Sequence, residues 1–165
     1  MKRVLLTGIS GTGKSTLTGA LAARGYKAVD ADTDEWSHWV AVSGPGIAGT
    51  PVRPDEDWVW REDRIQTLLA TEDTGVLFVS GCAENMVPFL PQFDHIVLLS
   101  APADVIAERL ATRTTNDYGK QPDEVARVLD QQHTVEPLLR RAAGHEIDTS
   151  ASLDQVVATV LRLVS

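Results

Sequence analysis

Short apolar runs alternate along the chain with longer stretches whose apolar residues recur at helical spacing. This pattern predicts strands joined by crossover helices in a parallel sheet. The apolar runs fall at 3–7, 27–30, 76–80, 95–100 and 146–148, and most are rich in Val, Leu or Ile, as strands buried on both faces are. A helix opening at Gly13 carries Leu17, Ala20 and Leu21 on one face and should stop near Gly25, a natural residue for the turn that ends a helix. From Ser152 onward, Leu153, Val156, Val157, Val160, Leu161 and Val164 form an apolar stripe, and Ser152 with Gln155 can make a reciprocal capping box. Two segments break the alternation. Residues 43–57 hold three glycines and three prolines and predict a loop, while 114–122, T-T-N-D-Y-G-K-Q-P, places turn residues between two helical patterns.

At 165 residues the chain fits one domain, spanning 1–165, with enough surface to bury a core without disulfides or a structural metal. Its 43% hydrophobic share contains no apolar run of membrane-spanning length, which predicts no membrane partner. The opening M-K-R-V-L-L-T-G reaches glycine too soon for a secretory signal and reads as a first strand, so a cytoplasmic location is expected. Cys82 is the single cysteine, and His38, His95, His133 and His145 are scattered without metal-ligand spacing. A net charge of −8 and the lack of a basic run disfavour nucleic acid and favour a small ligand.

The chemistry begins after the first strand. G-I-S-G-T-G-K-S, residues 8–15, satisfies G-x-x-x-x-G-K-[ST] in full, between an apolar strand and an amphipathic helix. Backbone N–H groups of such a loop form an anion nest at a helix mouth, lysine adds a charge for the β- and γ-phosphates, and the last hydroxyl ligates Mg²⁺. These properties assign nucleotide binding to Gly8, Ser10, Gly11, Thr12, Gly13, Lys14, Ser15 and Thr16, with Ser15 on the metal. The apolar run 76–80 ends in Ser80 and Gly81, where many P-loop ATPases carry an acidic residue, and no N-K-x-D segment is present. Those features disfavour AAA-type motors and GTPases and shift weight toward phosphotransfer to a small acceptor.

Four carboxylates, Asp30, Asp32, Asp34 and Glu35, crowd the segment V-D-A-D-T-D-E-W. Alternation in an extended chain turns Asp30 and Asp32 to one side and Ala31 to the other. Asp34 and Glu35 are expected to open a following helix, where negative charge is favourable. The P-loop followed sixteen residues after its lysine by D-A-D resembles the small P-loop kinases, above all the shikimate kinase and gluconate kinase type, with nucleoside monophosphate kinases more distant. The resemblance implies an α/β fold of the P-loop NTPase class: a three-layer α/β/α sandwich with a five-stranded parallel sheet and a mobile lid. It also implies Asp30 for Mg²⁺ and Asp32 for the acceptor hydroxyl.

Other segments carry the same likeness. V-L-F-V-S-G-C keeps only Gly81 of the Gly-Gly-Gly acceptor loop of shikimate kinases, which argues against shikimate itself as substrate. D-W-V-W-R-E-D-R resembles a segment whose arginine grips a substrate anion. Arg61 is the matching position, with a surface ion pair as its other reading. Trp58 and Trp60, together with Trp36 and Trp39, are candidates to wall an acceptor pocket, about half of the set being expected in the core. Residues 43–64 would then form the acceptor-binding region, with Arg53, Arg61 and Arg64 available to a phosphate acceptor. Arg109 and Arg113 share a helix face leading to the lid at 114–122; on the resemblance Arg113 is the candidate for the transferring phosphoryl group, and Arg109 either pairs with neighbours of Glu108 or leans on the nucleotide base. Lys120 is the lid cation and Gly119 its hinge on this reading.

The implied activity is an ATP-dependent phosphotransferase, a kinase moving the γ-phosphoryl group of Mg·ATP to a hydroxyl or phosphate of a small-molecule acceptor. Lys14, Asp32 and Arg113 are its catalytic candidates. The alternative is a regulatory or assembly ATPase that hydrolyses slowly and has no acceptor.

Overall fold

A computed structural model of the protein describes residues 1–41, 56–114 and 118–165. The strands are β1 (Lys2–Thr7), β2 (Lys27–Asp30), β3 (Ser37–Ala41), β4 (Glu56–Trp60), β5 (Val76–Ser80), β6 (His95–Ser100) and β7 (His145–Asp148). The helices are α1 (Lys14–Ala23), α2 (Glu62–Ala70), α3 (Ala103–Thr112), α4 (Pro122–Thr134), α5 (Glu136–Ala142) and α6 (Leu153–Val164), with a 3₁₀ segment at Glu84–Gln92.

Five strands form an all-parallel sheet in the order β2-β5-β1-β6-β7. The chain leaves β1 toward one edge through β2 and returns past it to build the other edge with β6 and β7. The strand order thus reverses beside β1, where open α/β sheets bind ligands at their carboxyl ends. Alternation along β1 sorts its side chains between two cores. Val4 and Leu6 pack with Leu17, Leu21, Val156, Val157 and Val160 under α1 and α6. Leu5 faces the opposite layer, with Ile65, Leu69, Phe89, Ile106 and Leu110 from α2, the 3₁₀ segment and α3. This gives the expected three layers.

The helix ends follow local chemistry. Gly25 adopts φ +88° just beyond α1. Ser152 accepts from the Gln155 backbone N–H at 3.2 Å, and the Gln155 side chain accepts from Ser152 N–H at 3.3 Å, completing the capping box on α6. None of the described helices is long and apolar enough to cross a membrane.

Two local expectations are corrected. Asp34 and Glu35 do not open a helix: they lie in a turn in which Trp36 and Ser37 donate N–H to the Thr33 carbonyl, and the chain then enters β3. The aromatic and β-branched content of S-H-W-V-A favours a strand over a helix. The loop expected over 43–57 gives way at residue 56 to β4, which pairs antiparallel with β3 in a separate two-stranded sheet, Trp39 opposite Trp58. Arg53 and the rest of 42–55 fall outside the described residues, as do 115–117 of the expected lid.

Candidate active site

The P-loop turns on glycine geometry. Gly11 and Gly13 have φ +83° and +95°, and a Cβ on Gly11 would come within 2.9 Å of Ile106 Cγ2, so the loop must be bare there to pass α3. Lys14 folds back over the loop, its Nζ donating to the carbonyls of Gly8 at 2.7 Å and Ile9 at 2.9 Å. Thr12 is fully buried, donating its hydroxyl to Ile9 O at 2.8 Å, which makes it a brace of the loop rather than an exposed contact.

The end of β2 meets this loop. Ser15 Oγ donates to Asp30 Oδ2 at 2.8 Å, and Asp30 Oδ1 accepts the Asp32 N–H at 3.1 Å. Ala31 is buried in the core between them, so Asp30 and Asp32 turn outward together. Ser15 and Asp30 offer hard oxygen donors on the phosphate side, while no cluster of three or more His, Cys, Asp or Glu able to hold a metal exists among the described residues.

Two cavities open on either side of Lys14. The first, about 610 Å³, is bounded by the P-loop, Asp30, Asp32, Arg109 and Arg113, and it runs to Thr149, Ala151 and Leu153. The second, about 470 Å³, is bounded by Gly8, Ile9, Trp39, Asp57, Trp58, Cys82, Tyr118, Arg127, Gln131 and Val135. Ser10, Lys14 and Asp32 line both. A group bound in one cavity therefore faces a group bound in the other across a lysine and a carboxyl.

Asp32 has the electrostatics of a functional carboxyl. Burial pushes its pKa up to about 6; Lys14 opposes the rise and Asp30 adds to it. The Cys82 N–H lies 3.4 Å from Asp32 Oδ1. Trp60 Nε1 is buried without a regular hydrogen-bond partner, yet it lies near enough to Asp32 to favour the charged form. Neighbouring Cys82 has its thiol pushed up to about 11, chiefly by burial, so it is not a nucleophile at neutral pH.

The other expected site residues divide. Arg113 lines the first cavity, donating from Nη2 to Tyr118 O at 2.5 Å, while its Nε is buried without a partner. Burial lowers its pKa, a sign of partial desolvation. Arg109 also lines that cavity, but its guanidinium is engaged by protein: Nη1 donates to Thr149 Oγ1 at 2.9 Å and Gly11 O at 3.3 Å, and Nη2 donates to Thr149 O. Thr16 is exposed on α1, beside the first cavity. Trp58 lines the second cavity and is pinned by Nε1 donating to Asp32 O at 2.9 Å.

Three assignments need correction. Trp60 is fully buried against Phe89 in the core, so its ring cannot wall a pocket. Arg61 lines neither cavity. It donates from Nε to the Asp34 carbonyl at 3.2 Å, and Arg64 likewise reaches Glu35 O at 2.6 Å, because both serve the turn that precedes β3. Lys120 is held by the carbonyls of Ala111 and Arg113 at the end of α3 instead of facing phosphate. Gly81 is buried beside Asp32, where a Cβ would lie 3.0 Å from Trp60 Nε1 and 3.1 Å from Asp32 Oδ1; bareness there leaves room for the carboxyl. Gly119, the expected hinge, is buried against Leu110 with φ +94°.

Sequence reasoning missed Arg127, Asp57 and Tyr118. Arg127 Nε and Nη2 are buried without hydrogen-bond partners, on the wall of the second cavity. A signal existed: Arg127, Gln131 and Val135 recur every four residues along α4 and its end, and all three line that cavity.

Known proteins resemble this chain along nearly its whole length. Shikimate kinase 2 of Yersinia enterocolitica is 28% identical over 171 residues, covering 98% of this chain and 95% of that protein. Shikimate kinase of Chlorobium chlorochromatii is 29% identical over 151 residues, covering 87% and 77%. Among solved structures, shikimate kinase from Acinetobacter baumannii in complex with shikimate aligns with a TM-score of 0.65 at 17% identity, covering 99% of this chain and 93% of that one. Shikimate kinase from Bacteroides thetaiotaomicron aligns with a TM-score of 0.65 at 20% identity, covering 99% and 98%. The model of the family described as AAA domain matches residues 4–130. The chain belongs to the AAA domain family, and the relatives it resembles along its length are small P-loop kinases of the shikimate kinase type.

Proposed function

We propose that the protein transfers the γ-phosphoryl group of Mg·ATP from the first cavity to a hydroxyl of a small acceptor in the second. The observation that carries this reading is the sharing of Ser10, Lys14 and Asp32 by both cavities. In-line transfer requires the attacking oxygen and the leaving oxygen on opposite sides of phosphorus, and two chambers meeting at a lysine and a carboxyl fit that requirement.

On this reading the P-loop N–H groups and Lys14 hold the phosphates, and Ser15 and Asp30 would hold Mg²⁺, which would supply neutralisation of phosphate charge. Lys14 exchanges its contacts with Gly8 and Ile9 for phosphate oxygens. Asp32 orients the acceptor hydroxyl. As its oxygen bonds to the γ-phosphorus, the bond to the bridging oxygen breaks, ADP departs, and the hydroxyl proton passes to the Asp32 carboxylate. A carboxyl titrating near 6 is mostly ionised at neutral pH and is a better base than an ordinary aspartate. Arg113 acts on the phosphoryl group from the α3 side, while Arg109, tied to Thr149 and Gly11, fixes the loop around the nucleotide.

On this reading the attacking group of the acceptor is a hydroxyl. Arg61 and Arg64 are committed to backbone carbonyls, and Arg127 is the one arginine lining the second cavity among the described residues. Buried N–H groups without partners call for an acceptor anion at that wall.

ADP release from Mg·ATP, with and without nucleoside monophosphates, nucleosides, sugar acids, shikimate and aromatic alcohols, tests the proposal. Stimulation by a hydroxyl class is expected. The same slow release with every acceptor, from folded and ATP-binding protein, would replace it with the regulatory ATPase.

A further inference from the structure

The second cavity carries a group that a simple hydroxy acid leaves unused. Asp57, at the start of β4, lines it with Arg127, Trp39 and Trp58. Its Oδ1 accepts the Trp58 N–H at 2.9 Å, and its carboxyl sits against that of Glu84 in the 3₁₀ segment. Trp39 and Trp58 meet edge to face, centroids 5.1 Å apart at 61°, and both are part-exposed on the cavity side. Opposite charges thus line one chamber, and the buried Nε and Nη2 of Arg127 bond to neither carboxylate nor any other group among the described residues. Had Asp57 and Arg127 served only each other, those nitrogens would have been satisfied.

Each wall selects a different chemistry. Partnerless guanidinium nitrogens want an anion. Two adjacent carboxyls want a cation, which relieves their mutual repulsion, and indole rings beside them favour both a cation and a ring. Burial and the Glu84 contact raise the Asp57 pKa, and the charge of Arg127 opposes the rise.

We propose that the acceptor is zwitterionic: a ring-bearing hydroxy compound whose ammonium group is received by Asp57 beside Trp39 and Trp58 while its anion meets Arg127. The inference rests on the phosphotransferase reading and deepens it, naming Asp57 as the residue that separates such an acceptor from shikimate-like acids lacking an amine.

A matched pair of probes tests it. β-Phenylserine carries ring, hydroxyl, ammonium and carboxylate; β-hydroxy-β-phenylpropanoate lacks only the amine. Transfer of labelled γ-phosphoryl and quenching of tryptophan fluorescence are read for both, and for shikimate, with the wild-type protein and with Asp57→Asn. The wild type is expected to prefer the amine by roughly tenfold or more in kcat/KM and in binding, as loss of a hydrogen bond to a charged group implies. Asp57→Asn should erase the preference and leave the KM for ATP unchanged. Equal use of the deaminated probe or of shikimate by the wild type would overturn the role of Asp57 while leaving the kinase reading intact, and it does not depend on how the variant folds. If neither phenyl probe is bound or phosphorylated while another acceptor stimulates ADP release, the zwitterion proposal alone is overturned. If no acceptor stimulates release, both fall.

Discussion

The phosphate end of the site is one contiguous segment, residues 8–15, whose polar groups are braced by their own backbone: Lys14 on Gly8 and Ile9, Thr12 on Ile9. The proposed acceptor end is assembled from β3, β4, the segment after β5, the approach to α4 and α4 itself, and it retains unsatisfied polar atoms on Arg127. The first is a rigid receiver for a ligand common to many proteins. The second keeps buried polar groups waiting, and each of those groups rejects ligands unable to satisfy it. Generic binding is built locally, and discrimination is built from tertiary contacts.

Substitutions can break this division. Lys14→Met removes the cation shared by both chambers and should lower kcat by roughly 10²–10³-fold, the scale for loss of one preorganised charge partner at a transition state. Steady-state turnover on the stimulating acceptor reads it, with circular dichroism confirming the fold. Arg127→Ala should raise the acceptor KM by roughly 10–100-fold and leave the ATP KM unchanged, a split that only an acceptor-side role produces.

Asp32 sits where the two ends meet and carries a cost in stability. Its folded pKa of about 6 lies above its ordinary 3.8, so the native state binds the extra proton. The associated stability is present below the unfolded value and is lost as pH rises through about 6. Asp32→Asn should therefore be more stable than wild type at pH 7, by on the order of 1–2 kcal/mol after discounting for a half-buried group, with the difference shrinking toward pH 4. Urea unfolding at the two pH values measures it. Wild-type kcat/KM should in turn fall below about pH 6 as Asp32 is protonated. The smallest effect is expected at Arg61, which serves only a turn. Arg61→Ala should change the acceptor KM by less than roughly twofold, in keeping with surface substitutions.

The division also explains what could be read from sequence. The sheet was legible because buried parallel strands are short apolar runs, and 27–30, 76–80 and 95–100 coincide with β2, β5 and β6. The P-loop was legible because its chemistry is contiguous, and the pairing of Asp30 with Asp32 because alternation is local. The hairpin was not. Glycine and proline before residue 56 mask the entry to β4, and its partner β3 follows carboxylates that a helix N-terminus would equally welcome. Trp58 and Trp60 look alike in sequence, yet one lines the cavity and the other fills the core, because which faces the ligand depends on how the hairpin docks. Arg127 lies in a polar stretch of α4 whose inward face is set only by packing on α3 and α5.

The fate of a labelled γ-phosphoryl group tests the central claim most directly. Protein incubated with labelled Mg·ATP and a stimulating acceptor should yield the label covalently attached to an acceptor hydroxyl, with one ADP formed for each acceptor phosphorylated. Label recovered only as inorganic phosphate, at a rate indifferent to the acceptor, would contradict transfer between the two cavities.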